Sequence, residues 1–141
     1  MIIEKATLQD IPQIMNLYTG LYDFHCTLEK AQERYRSILD NKDYTLLVAR
    51  EDGQILGTAL VIVCTGIPED FLVIEDVIVN EEIRGKGIGK AIFAQIDTMA
   101  EEMQCNYAIL ISSGFRKGAH QFYEKMGYVD DVRGFRKVYI E

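Results

Sequence analysis

Proline, cysteine and long apolar runs are all scarce in this sequence, and each scarcity narrows what the chain can be. Two prolines, no low-complexity segment, and a composition 48% hydrophobic and 26% charged leave little room for extended disorder. No run of about 18 apolar residues is present, so no membrane-spanning helix is expected. Met1 to Lys5 reads as a strand rather than as a basic leader ahead of an apolar core. The three cysteines, Cys26, Cys64 and Cys105, are odd in number and lack C-x-x-C or Cys/His ligand spacing. That speaks against a disulfide framework or a zinc site, and they read as packing residues in a protein of the reducing cytoplasm. Positive charge is short as well. At a formal net charge of −7 the chain lacks the many exposed Lys and Arg that hold nucleic-acid phosphates. Neither nucleic acid nor a membrane is an expected partner, no metal is expected, and the acidic balance favours a cationic small substrate.

At 141 residues the chain has the length of one domain, expected to span 1–141 with one active site. Ile2-Ile3 opens a strand. Thr7 with Asp10 three residues on reads as a helix N-cap, and Ile11, Ile14, Met15, Tyr18, Leu21 and Tyr22 then recur at helical spacing, with Pro12 tolerated in the first turn. A second helix is expected from Leu28 to Leu39. Tyr44 to Ala49 and Ile55 to Thr65 are β-branched and apolar and are joined through Asp52-Gly53, which predicts an antiparallel hairpin. Gly66 to Glu69 breaks the chain before a strand from Phe71 to Val79, apolar except at Glu75 and Asp76. A helix follows to about Met103, with Ile88, Ile92, Ile96, Met99 and Met103 on one face and Lys90, Asp97, Glu101 and Glu102 on the other. Tyr107 to Ile111 is a further strand, Ala119 to Met126 a short helix stopped at Gly127, and Tyr128-Val129 and Phe135 to Ile140 closing strands. The order β-α-α-β-β-β-α-β-α-β-β describes an α/β (α+β) fold, a single mixed β-sheet flanked by helices.

Between the strand ending Ile78-Val79-Asn80 and the long helix lies Arg84-Gly85-Lys86-Gly87-Ile88-Gly89, followed by Lys90. A glycine-rich turn at a helix N-terminus aims backbone N–H groups at an anion, and the helix dipole adds favourable potential. Arg84, Lys86 and Lys90 concentrate positive charge there in an otherwise acidic chain. The segment lacks the Gly-Lys-Ser/Thr ending of a nucleotide P-loop and the spacing of a dinucleotide-binding turn, which disfavours ATP and NAD.

What the segment does resemble is the Arg/Gln-x-x-Gly-x-Gly/Ala signature of the GNAT N-acetyltransferase superfamily. A second block, Ala119-His120-Gln121-Phe122-Tyr123-Glu124-Lys125-Met126-Gly127-Tyr128, is similar to that family's A-H-x-F-Y-x-x-x-G-F/Y helix and turn. The resemblance covers most of the chain. It implies an acyl-CoA N-acyltransferase fold, acetyl-CoA as acetyl donor, and a turn from Arg84 through Gly85, Lys86, Gly87, Ile88 and Gly89 to Lys90 that wraps the coenzyme A pyrophosphate. It also implies parted strands around Val77, Ile78 and Val79, where the pantetheine arm pairs with an exposed edge and a backbone N–H stabilises the carbonyl oxygen, with Ser112 near the other side of that arm.

Acetyl transfer to an amine needs a neutral amine, stabilisation of charge on the carbonyl oxygen, and a proton for the departing thiolate. A phenol, with an ordinary pKa near 10, suits the last step. Tyr123, which matches the tyrosine of the second block, is the candidate general acid. A core tyrosine is the alternative. Glu75 and Asp76, adjacent in a strand, are expected on opposite faces. Ile74-Glu75-Asp76-Val77 resembles the Leu/Ile-Glu-Asp of polyamine and amino-sugar acetyltransferases, which makes Glu75 the candidate base or amine anchor and leaves Asp76 structural or paired with a cation. His120, three residues before Tyr123, either orients the pantetheine arm or caps and packs its helix. Arg116 and Lys117 either touch the adenine-side phosphate or stay solvated. Tyr18, Tyr22 and Phe24 are placed to wall an acceptor pocket, although core packing also suits Tyr18.

The expected reaction is direct transfer from acetyl-CoA to a primary amine in a ternary complex, the acceptor being a small cationic amine such as a polyamine, an aminoalkyl compound or an amino sugar. Alternatives are a peptide or protein N-acetyltransferase and a catalytically silent acyl-CoA-binding regulatory module. A homodimer is the expected assembly.

Overall fold

The computed structural model describes residues 1–21, 23–83, 85–112 and 117–140. The chain divides into two compact units, Met1–Leu110 and Ile111–Glu141.

The first unit is built on a five-stranded sheet in the order β1-β2-β3-β4-β5, with β1 Ile2–Lys5, β2 Tyr44–Glu51, β3 Gln54–Thr65, β4 Asp70–Val79 and β5 Tyr107–Leu110. The first four strands pair antiparallel and β5 runs parallel to β4, so the sheet is mixed, as the sequence predicts. The β2–β3 hairpin turns at Asp52 and Gly53, with φ of 49° and 77°. Two successive left-handed residues match the twist of the flanking strands, which is why Asp-Gly signals such a turn.

Alternation along the strands assigns the two sheet faces. Leu46 and Val48, with Leu60 beside them, pack with Ile11, Ile14 and Tyr35 of the helices α1 (Ile11–Tyr18) and α2 (Leu28–Leu39). Ile88 and Ile92 of α3 (Ile88–Glu102) crowd the opposite face at Gly57. The predicted stripe of Ile88, Ile92, Ile96 and Met99 is buried there together with Phe93. The helix stops one residue before Met103, which is 40% exposed and does not extend the stripe. Likewise α1 ends at Tyr18, before Leu21.

A partly buried ion pair ties the start of the chain to β2. The Asp10 carboxylate accepts from the Thr7 N–H at 2.7 Å and from the Thr7 hydroxyl at 3.1 Å, which makes the predicted cap, here on a 3-10 turn over Leu8–Asp10. Arg50 donates to both Asp10 oxygens, at 2.9 and 2.6 Å, and to Glu4 at 2.7 Å. Close by, the Tyr35 hydroxyl donates to the Ala6 carbonyl. Burial, and then the Asp10 charge, push that phenol up to about 12. Hydrogen bonding from Arg50 holds the Asp10 carboxyl below its ordinary value of 3.8. A depressed folded-state pKa stabilises the fold above the unfolded value, and this contribution is lost as pH falls through the folded one. Replacing Asp10 by Ala removes one of the two carboxylates paired with Arg50, leaves it with Glu4 alone, and is expected to cost about 1–2 kcal/mol in a urea titration at pH 7. The difference from wild type should shrink below pH 4.

In the second unit, α4 spans Lys117–Lys125 and the chain reverses at Gly127, whose φ is 100°. The closing strands expected at Tyr128-Val129 and from Phe135 to Ile140 do not form: residues 128–140 contain no strand. Val129, Phe135 and Tyr139 are 74%, 90% and 83% exposed. β-prone residues become strands only with a ladder partner and a face to bury, and neither is present for them among the described residues.

Candidate active site

β4 carries the most irregular backbone of the sheet. Against β3, Glu75 is opposite Leu60 and Ile78 opposite Thr58, so Asp76 and Val77 together face Ala59 alone. This is a β-bulge. At its first position Asp76 has a φ of 53°, a left-handed conformation rare for a strand residue other than glycine. The extra residue breaks the alternation only after Asp76, where Asp76 and Val77 share Ala59, so the register does not overturn the expectation that Glu75 and Asp76 point to opposite faces.

On its other side β4 pairs with β5 only from Phe71 to Ile74, and residues 75–79 have no β5 partner among the described residues. Asn80 donates its N–H across to Leu56 at 2.9 Å. Because backbone groups alternate along a strand, the N–H and C=O of Val79 then turn to the unpaired side. An open strand edge of this kind is a template for an extended, amide-bearing ligand.

Glu75 shares the face of its partner Leu60, which packs on the α1–α2 cluster. Ile78 leaves on that face too, its Cδ1 being 3.1 Å from where a Cβ on Gly20 would stand, just past α1. Tyr18 and Phe24 meet edge to face at 6.3 Å by the same end of α1. Tyr22 lies outside the described residues. The Glu75 side chain reaches solvent, yet partial burial first, and the Asp76 charge second, raise its pKa. Burial alone raises Asp76. No cation pairs with either carboxylate among the described residues, so the pairing expected for Asp76 is not seen there.

Beyond β4, Asn80 accepts the Glu82 N–H at 3.0 Å and starts a short turn that leads into the glycine segment. Gly85 and Gly87 have φ of 90° and 78°, and a Cβ on either would meet no atom of the described residues within 4 Å. Left-handed residues in sequence turn successive N–H groups into a concave anion nest, and Gly87 is also the N-cap of α3, where the free N–H groups of the first turn begin. Lys86 and Lys90 are exposed beside it, and Ile88 is the first anchor of α3 in the core. Arg84 lies outside the described residues. A valine at position 87 would be strained by about 1–2 kcal/mol and would fill the concavity. Gly87→Val is expected to weaken acetyl-CoA binding about tenfold or more in calorimetry while lowering the melting temperature by only about 3–8 °C, with the fold retained.

The second unit holds the remaining candidates. The Ser112 Oγ is buried with no hydrogen-bond partner among the described residues, an orphaned polar atom of the kind a ligand satisfies. On α4, His120 is half-buried and Tyr123 is 8% exposed, the Tyr123 ring edge-on to Phe122 at 5.7 Å. Arg116 lies outside the described residues. Thus Glu75, Val77, Ile78, Val79 and the Gly85–Lys90 segment follow one another along the first unit, and Ser112, His120 and Tyr123 belong to the second. The feature missed in the sequence is the bulge at Asp76. Its one signal was an aspartate inside an apolar strand, where that residue is disfavoured.

The sequence profile of the acetyltransferase (GNAT) family matches residues 11–128, and the chain belongs to that family. Acetyl-CoA is the acetyl donor of that family. A Drosophila melanogaster protein named for glucosamine 6-phosphate N-acetylation is 30% identical over 101 residues, 68% of this chain and 45% of that protein. The chain thus spans under half the length of that relative. Among solved structures, an Agrobacterium tumefaciens protein named for acetyltransferase activity superposes with a TM-score of 0.91 at 25% identity, covering 99% of this chain and 100% of the other. Glucosamine-6-phosphate N-acetyltransferase of Arabidopsis thaliana gives 0.87 at 26% identity, covering 99% and 98%. Among the described residues, no cluster of His, Cys, Asp or Glu could hold a metal ion, and no helix is long and apolar enough to cross a membrane.

Proposed function

We propose that the chain moves the acetyl group of acetyl-CoA to the primary amine of a small amino sugar, by direct attack in a ternary complex. The observation that carries this reading is the open edge of β4 running into a left-handed glycine turn at the N-terminus of α3. Among the described residues of the first unit, the β4 edge has amides without a partner and the turn has open space where side chains would stand, which suits the cofactor; in the second unit, Ser112 has a hydroxyl with no described partner. When bound, acetyl-CoA supplies an acetyl thioester.

The strand edge over Val77, Ile78 and Val79 takes the pantetheine arm, through the outward backbone groups of Val79, with Ser112 and His120 as further contacts. The N–H groups of the turn from Gly85 through Gly87, Ile88 and Gly89, with Lys86, Lys90 and the Arg84 of the motif, hold the pyrophosphate. The Glu75 carboxylate, on the face lined by α1, anchors the acceptor as an ammonium and takes its proton, directly or through water. The Tyr123 Oη donates a proton to the departing sulfur. An amino sugar is favoured over a polyamine by the names of the fly and Arabidopsis relatives. The chain acts as a cytoplasmic homodimer, for which the unpaired thiols and the exposed Phe135 and Ile140 speak. Sedimentation checks that assembly.

The test is thiol release from acetyl-CoA with a panel of glucosamine 6-phosphate, glucosamine, spermidine and short peptides. The expected result is the highest kcat/KM for an amino sugar. A peptide or polyamine as best acceptor would overturn the substrate class, and tight coenzyme A binding without any turnover would establish a silent acyl-CoA-binding module instead.

A further inference from the structure

We propose that Asp76 is a positioning residue whose left-handed backbone, rather than its charge, aims Glu75 and Val79 at two different ligands. The inference rests on the reading of β4 as the cofactor edge. In a regular strand two residues three apart point to opposite faces. Glu75 and Ile78 are three apart, but their β3 partners Leu60 and Thr58 are two apart and share one face, so the bulge puts both side chains on the α1 side. At the same time the Asn80 N–H bond to Leu56 fixes the frame of the strand end and turns the Val79 amide to the open edge. Without the extra residue these two settings conflict. Either Glu75 would rotate to the α3 face, away from α1, or the strand end would slip and Val79 would turn its N–H and C=O toward β3.

The side chain of Asp76 supplies nothing else visible to the fold. It makes no hydrogen bond and no ion pair with a described residue, and it is half-buried, a placement that disfavours its charged form. What aspartate offers at a φ of 53° is tolerance of the left-handed region, which asparagine shares, glycine exceeds, and alanine and valine lack. A carboxylate kept at this position without a partner is thus explained by its backbone.

The experiment is a series of Asp76→Asn, Asp76→Gly, Asp76→Ala and Asp76→Val, measured for acetyl-CoA affinity, for kcat and KM toward the best amine, and for melting temperature. Asn and Gly are expected within about threefold of wild type in both affinity and kcat/KM at neutral pH. Ala should lose roughly tenfold, and Val more, in kcat/KM as Glu75 leaves the acceptor face and in acetyl-CoA affinity as the edge closes. If Val fails to fold, the Asn and Gly variants still decide the matter. Impairment of both at an unchanged melting temperature would show that the carboxylate itself is needed, and overturn the proposal. Equal binding and turnover by all four would remove the positioning role while leaving the cofactor edge intact. Failure of wild type itself to bind acetyl-CoA would remove the reading beneath both.

Discussion

Tyr123→Phe is expected to lower kcat by roughly two to three orders of magnitude while leaving acetyl-CoA affinity within about threefold of wild type. The variant removes one oxygen from a ring that is 8% exposed and edge-on to Phe122, so packing within the second unit is conserved. A thiolate leaving without a proton is the penalty, and it falls on the chemical step rather than on binding. Single-turnover thiol release, compared with the dissociation constant for acetyl-CoA, separates the two. If both fall together, or if neither changes, Tyr123 is a packing residue and another group protonates the sulfur.

The second large effect is expected at Glu75. Glu75→Gln keeps the shape of the side chain but can neither hold an ammonium by charge nor accept its proton. A loss of about 10²–10³-fold in kcat/KM for the amine follows, with acetyl-CoA affinity unchanged. The pH profile tests the assignment independently. Glu75 works deprotonated, and its pKa is raised by burial and by Asp76, so activity in wild type should decline on the acid side at a pH above the ordinary glutamate value of 4.5. The Gln variant should lack that limb. Asp76→Asn removes the neighbouring negative charge and should move the limb to lower pH, since a like charge can only have raised it.

Much of this architecture was legible in the residues themselves. Asp52-Gly53 marked the hairpin, and Ile88, Ile92, Ile96 and Met99 marked the buried stripe of α3, because turn chemistry and helical periodicity are local properties. The glycine turn was equally local: Gly85 and Gly87 stand in the left-handed region that only glycine occupies freely. The bulge was not legible. It is a mismatch between the register of β4 and that of β3, created between strands, and an aspartate in an apolar run hints at an irregularity without saying which backbone groups it frees. The C-terminal residues failed for a related reason. Phe135, Val138 and Ile140 have strand-like character, but a strand requires a partner, and pattern alone does not supply one. Met103 falls just beyond the end of α3, where one further residue would have completed a stripe that the capping turn cuts short.

The most direct test of the cofactor site is amide hydrogen exchange of the wild-type protein with and without saturating acetyl-CoA. Slowed exchange is expected at Val79 and from Gly85 to Lys90, where the open edge of β4 and the turn before α3 offer their N–H groups, with little change on β1 and β2. Binding that protects other segments and leaves both of these untouched would contradict the assignment of acetyl-CoA to this edge.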